Sequence, residues 1–301
     1  MDKTVIKQRV KAYLDLVRPF TLLAPIIVSI CIMIASYVYA DYEASIFNYV
    51  WTMIIPASLS FAFLNGASNA LNQVTDLEAD KISKAYRPIP SGAVSTNEAL
   101  SISLLMYMIS FTLSILINIW FVLFIFLIAL FTITYSLPPR LKDKLIFNQL
   151  WVGIPRGLLA IMASWSVFGN SLQPLPLAIA LIAMSFLIGG SITKDIIDAE
   201  ADKKTGTNTL VNTFGVKKAA IMALPFMFFP FVFIPILINS GILNIQFFIL
   251  TFLCIPAFFI FYLMIRDTDK HHKLENTSSW ALMYITYFVF AFGFSILTIT
   301  G

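Results

Sequence analysis

The sequence predicts an all-α, polytopic membrane protein with nine transmembrane helices, arranged as two four-helix repeats plus a ninth helix. Three observations lead there: a composition too apolar for a soluble fold, nine apolar runs of spanning length, and a one-sided distribution of positive charge. Of 301 residues, 59% are hydrophobic and 12% charged, whereas a soluble domain carries about a quarter charged residues. Such a chain can bury a sizeable core but has too little polar surface to cover it, so lipid is the expected solvent. Cys31 and Cys254 lie far apart inside apolar runs, which fits neither a disulfide framework nor a metal site. They read as small core residues.

A helical span needs about 20 mostly apolar residues. The candidate spans are 19–40, 48–73, 97–117, 119–136, 145–168, 175–198, 217–239, 244–265 and 279–299. Repeat one then covers about 19–136, repeat two about 145–265, and the ninth helix about 279–299, all within a single transmembrane domain. Pro25, Pro56, Pro230 and Pro256 fall inside spans, which membrane helices tolerate. The turn at Asn118 is short enough to make the third and fourth spans a tight hairpin.

Of the 20 Lys and Arg residues, Arg156 lies within the fifth span, and all the others fall before span one, around the even-to-odd connections, or at the inner ends of spans. The connections 41–47, near 118, 169–174 and 240–243 carry none, nor does the C-terminus. This asymmetry predicts a cytoplasmic N-terminus and an outside C-terminus, with a cell membrane as the expected location. A cleaved signal peptide is the alternative for the first run, with Val38-Tyr39-Ala40 as a poor cleavage site. That run is longer than a usual signal core. The net charge of +4 therefore reflects topology, and no nucleic-acid partner is expected. Almost every acid also lies on the inner side, so chemistry belongs there.

One motif occurs twice. Asp76-Leu77-Glu78-Ala79-Asp80-Lys81 ends the second span, and Asp198-Ala199-Glu200-Ala201-Asp202-Lys203 ends the sixth, 122 positions later. Each extends backwards along one helix face, as Asn72, Asp76, Asp80 and as Asp195, Asp198, Asp202. Residues at such spacings share a stripe, roughly 6 Å apart per four residues. Bare carboxylates so placed repel one another, and hard cations between them remove the penalty. Mg²⁺ takes one or two carboxylates plus substrate phosphates rather than a full protein cage. The predicted metal ligands are therefore Asn72, Asp76, Asp80, Asp195, Asp198 and Asp202, facing a diphosphate. Glu78 and Glu200 fall off the stripe. The competing reading, solvated charges at helix ends, is weakened by the recurrence of the motif at equivalent places.

Other polar clusters lie on the same side. In Arg87-Pro88-Ile89-Pro90-Ser91-Gly92 the prolines stiffen a loop. Lys81, Lys84 and Arg87 offer cationic donors to phosphate oxygens, although topology alone also demands positive charge there. Tyr135-Ser136-Leu137-Pro138-Pro139-Arg140-Leu141-Lys142 ends the fourth span. Asn148 and Arg156 interrupt an apolar helix; for Asn148 a helix–helix hydrogen bond is an equal reading. His271 and His272 read as a solvated pair in the loop 267–279, with no further ligand nearby for zinc. There is no P-loop and no Ser/His/Asp pattern.

These residues resemble the UbiA superfamily of intramembrane prenyltransferases over nearly the whole chain. Asn72, Asp76 and Asp80 match its N-x-x-x-D-x-x-x-D motif, and Asp198 and Asp202 its D-x-x-x-D motif. The R-P-I-P-S-G and Y-S-x-P-P stretches are similar to those of the branch containing chlorophyll synthase and archaeal digeranylgeranylglyceryl phosphate synthases. Many family members have an Asp after the first Asn; here Gln73 stands there, which weakens assignment to the quinone branch. The resemblance implies catalytic roles for Asp76, Asp80, Asp198, Asp202, Tyr135 and Lys194. It also implies diphosphate contacts from Arg18 and Lys142, beside Lys81, Lys84 and Arg87.

The expected activity is Mg²⁺-dependent transfer of a prenyl group, with Mn²⁺ as a possible substitute, from a prenyl diphosphate to a lipid-like acceptor. Geranylgeranyl diphosphate is the expected donor and geranylgeranylglyceryl phosphate the favoured acceptor. The alternative acceptor is aromatic, 4-hydroxybenzoate or a naphthoate, as in quinone biosynthesis. The D-G-x-x-A-R motif of CDP-alcohol phosphotransferases is missing. A cation-coupled transporter is the alternative from another class, but its acids would lie at the midplane between inverted repeats. Membrane lipid is an expected partner, and no obligate protein partner is inferred.

Overall fold

The computed structural model describes residues 3–266 and 277–301. His271 and His272 lie outside the described residues. Every regular element among those described is helical. In chain order, α1 is Lys3–Val17, α2 Pro19–Tyr39, α3 Phe47–Thr75 and α4 Leu77–Ser83. Then come α5, Thr96–Ile115, and α6, Ile119–Ser136. The run 147–165 consists of α7 (Phe147–Gly153), a π-helical segment (Ile154–Leu159) and α8 (Ala160–Trp165). The second half continues with α9 (Pro174–Gly190), α10 (Ile192–Thr205) and α11 (Leu210–Phe214). It ends with α12 (Val216–Asn239), α13 (Ile245–Arg266) and α14 (Ser278–Thr300).

Among the described residues, eight helices are long and apolar enough to cross a membrane. Eight of the predicted spans fall on them, seven to within two residues; α9 and α10 together make the eighth, which runs on to Thr205. The predicted span 145–168 is the exception: Asn148, Gln149 and Arg156 leave it less apolar than the eight, and its helix over 147–165 runs through a π-helical middle. The cause is local. Pro155 lacks the amide that a regular helix would use, and the hydrogen-bond ladder adjusts to the wider π pattern, as membrane helices do around proline. Helix α1 was not anticipated. Its exposed Ile6, Val10 and Leu14 recur every fourth residue, while Ala12 and Leu16 are buried.

The helix ends follow from the sequence. Ser95 and Glu98 form a capping box at the start of α5, with Glu98 N donating to Ser95 Oγ (3.2 Å) and Ser95 N to Glu98 Oε2 (2.9 Å). Asn118 Oδ1 caps Phe121 N at 2.9 Å and so fixes the α5–α6 hairpin. Thr277 Oγ1 does the same for α14 through Trp280 N.

The long helices form a ring. α2 packs on α3, α3 on α5 and α6, α6 on the 147–165 run, and that run on α9. From α9 the ring continues through α12, α13 and α14 and closes on α2. Lipid offers no hydrophobic drive between helices, so small residues and buried hydroxyls make the interfaces. Ser60 and Ser110 exchange bonds with each other's carbonyls at 2.9 and 2.8 Å between α3 and α5. Ser103 Oγ donates to Ala67 O at 2.8 Å. Gly153 and Gly157 bring the 147–165 run against α9: a Cβ on Gly157 would stand 2.4 Å from Met184 Cα, which is main chain and cannot swing aside.

Candidate active site

At one end of the ring a cavity of ≈ 300 Å³ opens between the halves of the chain. Its inner walls are apolar, including Val28, Phe61, Leu64, Ile128, Leu187 and Met283, and its mouth is charged. The two Asp motifs meet there, because α4 and α10 pack against each other.

Helix α3 stops at Thr75. Asp76 occupies the C-cap with φ −101° and ψ 13°, and α4 restarts at Leu77. Despite the break, Asn72, Asp76 and Asp80 all face the cavity. On the other side α9 ends at Gly190, Ser191 forms a tightened turn, and α10 carries Asp198 and Asp202 to the same cavity.

Cations hold most of these carboxylates. Lys142 Nζ bonds to Asp76 Oδ1 and, at 2.8 Å, to Asn72 Oδ1. Arg140 Nη2 donates to Asp76 Oδ1 at 2.8 Å, and its Nη1 caps α3 through Thr75 O at 2.9 Å. Arg87 Nη1 reaches both oxygens of Asp80 at 2.9 and 2.8 Å in a buried pair. Lys84 Nζ crosses to Asp198 Oδ1 at 2.5 Å. Burial pushes the Asp80 carboxyl up, and the guanidinium of Arg87 opposes it. Burial likewise pulls the Lys142 ammonium down, against the attraction of Asp76. Asp202 is different: it lines the cavity and has no ion-pair partner among the described residues.

A second cluster lies beneath. Lys194 Nζ donates to Tyr135 OH (2.5 Å) and to Asn148 Oδ1 (3.1 Å), and Tyr135 OH donates to the same Asn148 oxygen at 3.0 Å. Asn148 Nδ2 and Gln149 Nε2 both donate to Asp195 Oδ2 at 2.9 Å. Tyr135, Lys194 and Asn148 line the cavity.

Most of the expected residues therefore converge: Asn72, Asp76, Asp80, Lys84, Arg87, Tyr135, Lys142, Lys194, Asp198 and Asp202 line one cavity, as does Arg18 from the α1–α2 junction. Two do not. Asp195 is buried and outside the lining, held by two amides, so it sits behind the site rather than at its surface. Lys81 points outward, paired with Glu78 at 2.7 Å, with half or more of each side chain exposed. Arg140 and Asn148 find their partners, Thr75 and Asp76 for the one and Tyr135, Lys194 and Asp195 for the other, in other helices, which spacing cannot reveal. Gln73 is buried and donates to Leu16 O at 2.6 Å, beside Asn69, which donates to Val17 O at 2.9 Å. These amides satisfy the last carbonyls of α1, where Pro19 can offer no donor. Position 73 thus serves the α1–α2 junction.

Oxygen ligands without soft donors suit a hard cation. Among the described residues no three acids converge on one point. Mg²⁺ does not require that, since phosphate oxygens and water complete its shell. Asn72, Asp76 and Asp80 on one wall and Asp198 and Asp202 on the other fit such an ion.

An all-helical bundle with an apolar cavity, capped by facing carboxylates and Lys/Arg, is the architecture of an intramembrane transferase acting on an apolar substrate with a charged head. Residues 22–286 match the model of the UbiA prenyltransferase family, and the chain belongs to that family. It is 28% identical to the digeranylgeranylglyceryl phosphate synthase of Methanobrevibacter smithii over 93% of this chain and 97% of that one. It is 31% identical to the synthase of the same name from Methanococcoides burtonii over 66% of this chain and 71% of that one. Its fold matches that of a UbiA homologue from Archaeoglobus fulgidus, solved with DMAPP and Mg²⁺, with a TM-score of 0.72, 21% identity, and coverage of 96% and 99%.

Proposed function

We propose that this prenyltransferase moves a geranylgeranyl group from its diphosphate to the free hydroxyl of geranylgeranylglyceryl phosphate, with Mg²⁺ as cofactor. The observation that carries this reading is the meeting of Asn72, Asp76 and Asp80 with Asp198 and Asp202 at the charged mouth of a cavity with apolar walls on its inner part, among them Val28, Phe61, Leu64 and Ile128. The relatives' names supply the acceptor, and the UbiA homologue solved with a prenyl diphosphate and Mg²⁺ supports the donor and the ion.

The apolar walls take the isoprenoid tail and keep water from the reacting carbon. Lys84, Arg87, Arg140 and Lys142 would orient the diphosphate and balance the charge that grows on it as the C1–O bond breaks. Bound Mg²⁺ would add Lewis-acid stabilisation of that leaving group. The bonding pair departs with the diphosphate. The acceptor oxygen supplies the new pair to C1 and releases its proton. Lys194, fixed by Tyr135 and Asn148, lies below the mouth where C1 would come to rest.

The expected topology is nine crossings in two four-helix repeats plus a ninth helix, counting the run 147–165. The N-terminus would be cytoplasmic and the C-terminus outside, in the cell membrane, as the Lys/Arg distribution indicates. Purified protein given radiolabelled geranylgeranyl diphosphate and Mg²⁺ should prenylate geranylgeranylglyceryl phosphate. Prenylation of 4-hydroxybenzoate or a naphthoate alone would replace the acceptor and leave the donor chemistry in place.

A further inference from the structure

Arg156 has no part in the diphosphate site, yet it is a cation in the middle of an apolar run. Such a residue inside a membrane protein is costly and is usually kept for function. Among the described residues no carboxylate pairs with it; its Nη1 donates to Tyr284 OH at 3.2 Å, and Tyr287 OH donates back to the Arg156 carbonyl at 3.1 Å. Arg156, Trp280, Tyr284 and Tyr287 all line the same cavity as the Asp motifs. The backbone places it deliberately. Arg156 sits in the π segment, and π turns are frequent at functional sites. Gly153 and Gly157 press the run against α9, while Arg156 between them lines the cavity.

We propose that Arg156, oriented by Tyr284, is the anion subsite for the acceptor's headgroup, a phosphate monoester held apart from the donor diphosphate. This rests on the prenyltransferase reading above. Arg156 is eight residues beyond Asn148, roughly 12 Å along the helix. That separation suits the chemistry. The acceptor hydroxyl must reach C1, but its phosphate and the diphosphate repel and need separate cations. With one N–H on Tyr284, the guanidinium keeps further donors for a two-pronged contact with phosphate, which lysine cannot reproduce.

The test uses full-length protein in detergent or nanodiscs, with geranylgeranyl diphosphate as donor. Two acceptors are compared, geranylgeranylglyceryl phosphate and the same lipid without its phosphate. In the wild type the phosphorylated acceptor should have the lower KM. Arg156→Gln should raise that KM by at least ~10-fold, the loss expected for a hydrogen-bonded charge, and erase the preference over the neutral lipid. The donor KM should stay within about twofold of wild type, and Arg156→Lys should recover part of the preference. Protection of Arg156→Gln against thermal unfolding by the donor checks the fold; if that variant does not fold, Arg156→Lys is read in its place. Equal losses for both acceptors, or a rise in the donor KM instead, would overturn the assignment. If the wild type prenylates only 4-hydroxybenzoate, the acceptor reading fails separately. The same variant is then compared on the acid and its methyl ester: a loss confined to the acid upholds an anion subsite, and equal losses reject it.

Discussion

Lys84 Nζ and Asp198 Oδ1 lie 2.5 Å apart, joining a residue just after the first Asp motif to the leading Asp of the second across 114 positions of chain. The bond is partly buried and joins two residues that both line the cavity. A phosphate arriving there would draw Lys84 away and leave Asp198 to a metal ion. Asp198→Asn and Asp76→Asn are each expected to lower turnover by at least about 100-fold, or about 2.7 kcal/mol of transition-state stabilisation. Steady-state rates with saturating donor check this.

Lys81 and Glu78 pair on the outer surface. Lys81→Ala and Glu78→Ala should leave turnover within about threefold of wild type, since exposed pairs contribute little. A loss comparable to that of Asp76→Asn would show that α4 turns this face inward during catalysis.

Arg87 and Asp80 form a buried pair. Removing one partner strands the other's charge, so Arg87→Met should destabilise the fold by about 3 kcal/mol. The double variant with Asp80→Asn should recover part of that loss. Thermal unfolding in detergent reads both, and additive losses would contradict the pairing.

Turnover should vanish in excess EDTA and return with Mg²⁺ or Mn²⁺. Asp202→Asn should raise the Mg²⁺ concentration needed for half-maximal rate, because Asp202 faces the cavity without a competing cation among the described residues. Unchanged metal dependence would remove Asp202 from the ligand set.

A cysteine added after Gly301, on a cysteine-free background, should be labelled from outside intact cells. Labelling only after the membrane is breached would exclude an odd number of crossings from a cytoplasmic N-terminus.

Much of this site was legible beforehand because helical spacing carries it. Asn72, Asp76 and Asp80 stay on one wall even though α3 breaks at Asp76, since one tightened residue barely rotates the stripe. What spacing could not tell was which charges face inward. Lys81 and Lys84 are equally good topology signals, and three residues of helix turn one toward Glu78 and the other toward Asp198. Asp195 shares the spacing of the second stripe, yet Asn148 and Gln149 from a distant helix engage it. The span 145–168 was visible as an apolar run, but the π pattern that its ladder takes over Ile154–Leu159 was not. Helix α1 is no apolar run, because Lys7, Arg9 and Lys11 interleave with Ile6, Val10 and Leu14 along the chain.

The ring closes where α2 meets α14. In a chain inserted as it is synthesised, the wall beside α2 stays open until nearly everything else has entered the bilayer. The apolar chamber is therefore finished late, and earlier intermediates offer lipid a gap of one helix. Chains stalled before Ser278 should insert yet fail to retain labelled prenyl diphosphate. Supplying α14 as a separate peptide should restore binding, making catalytic competence the last event of assembly.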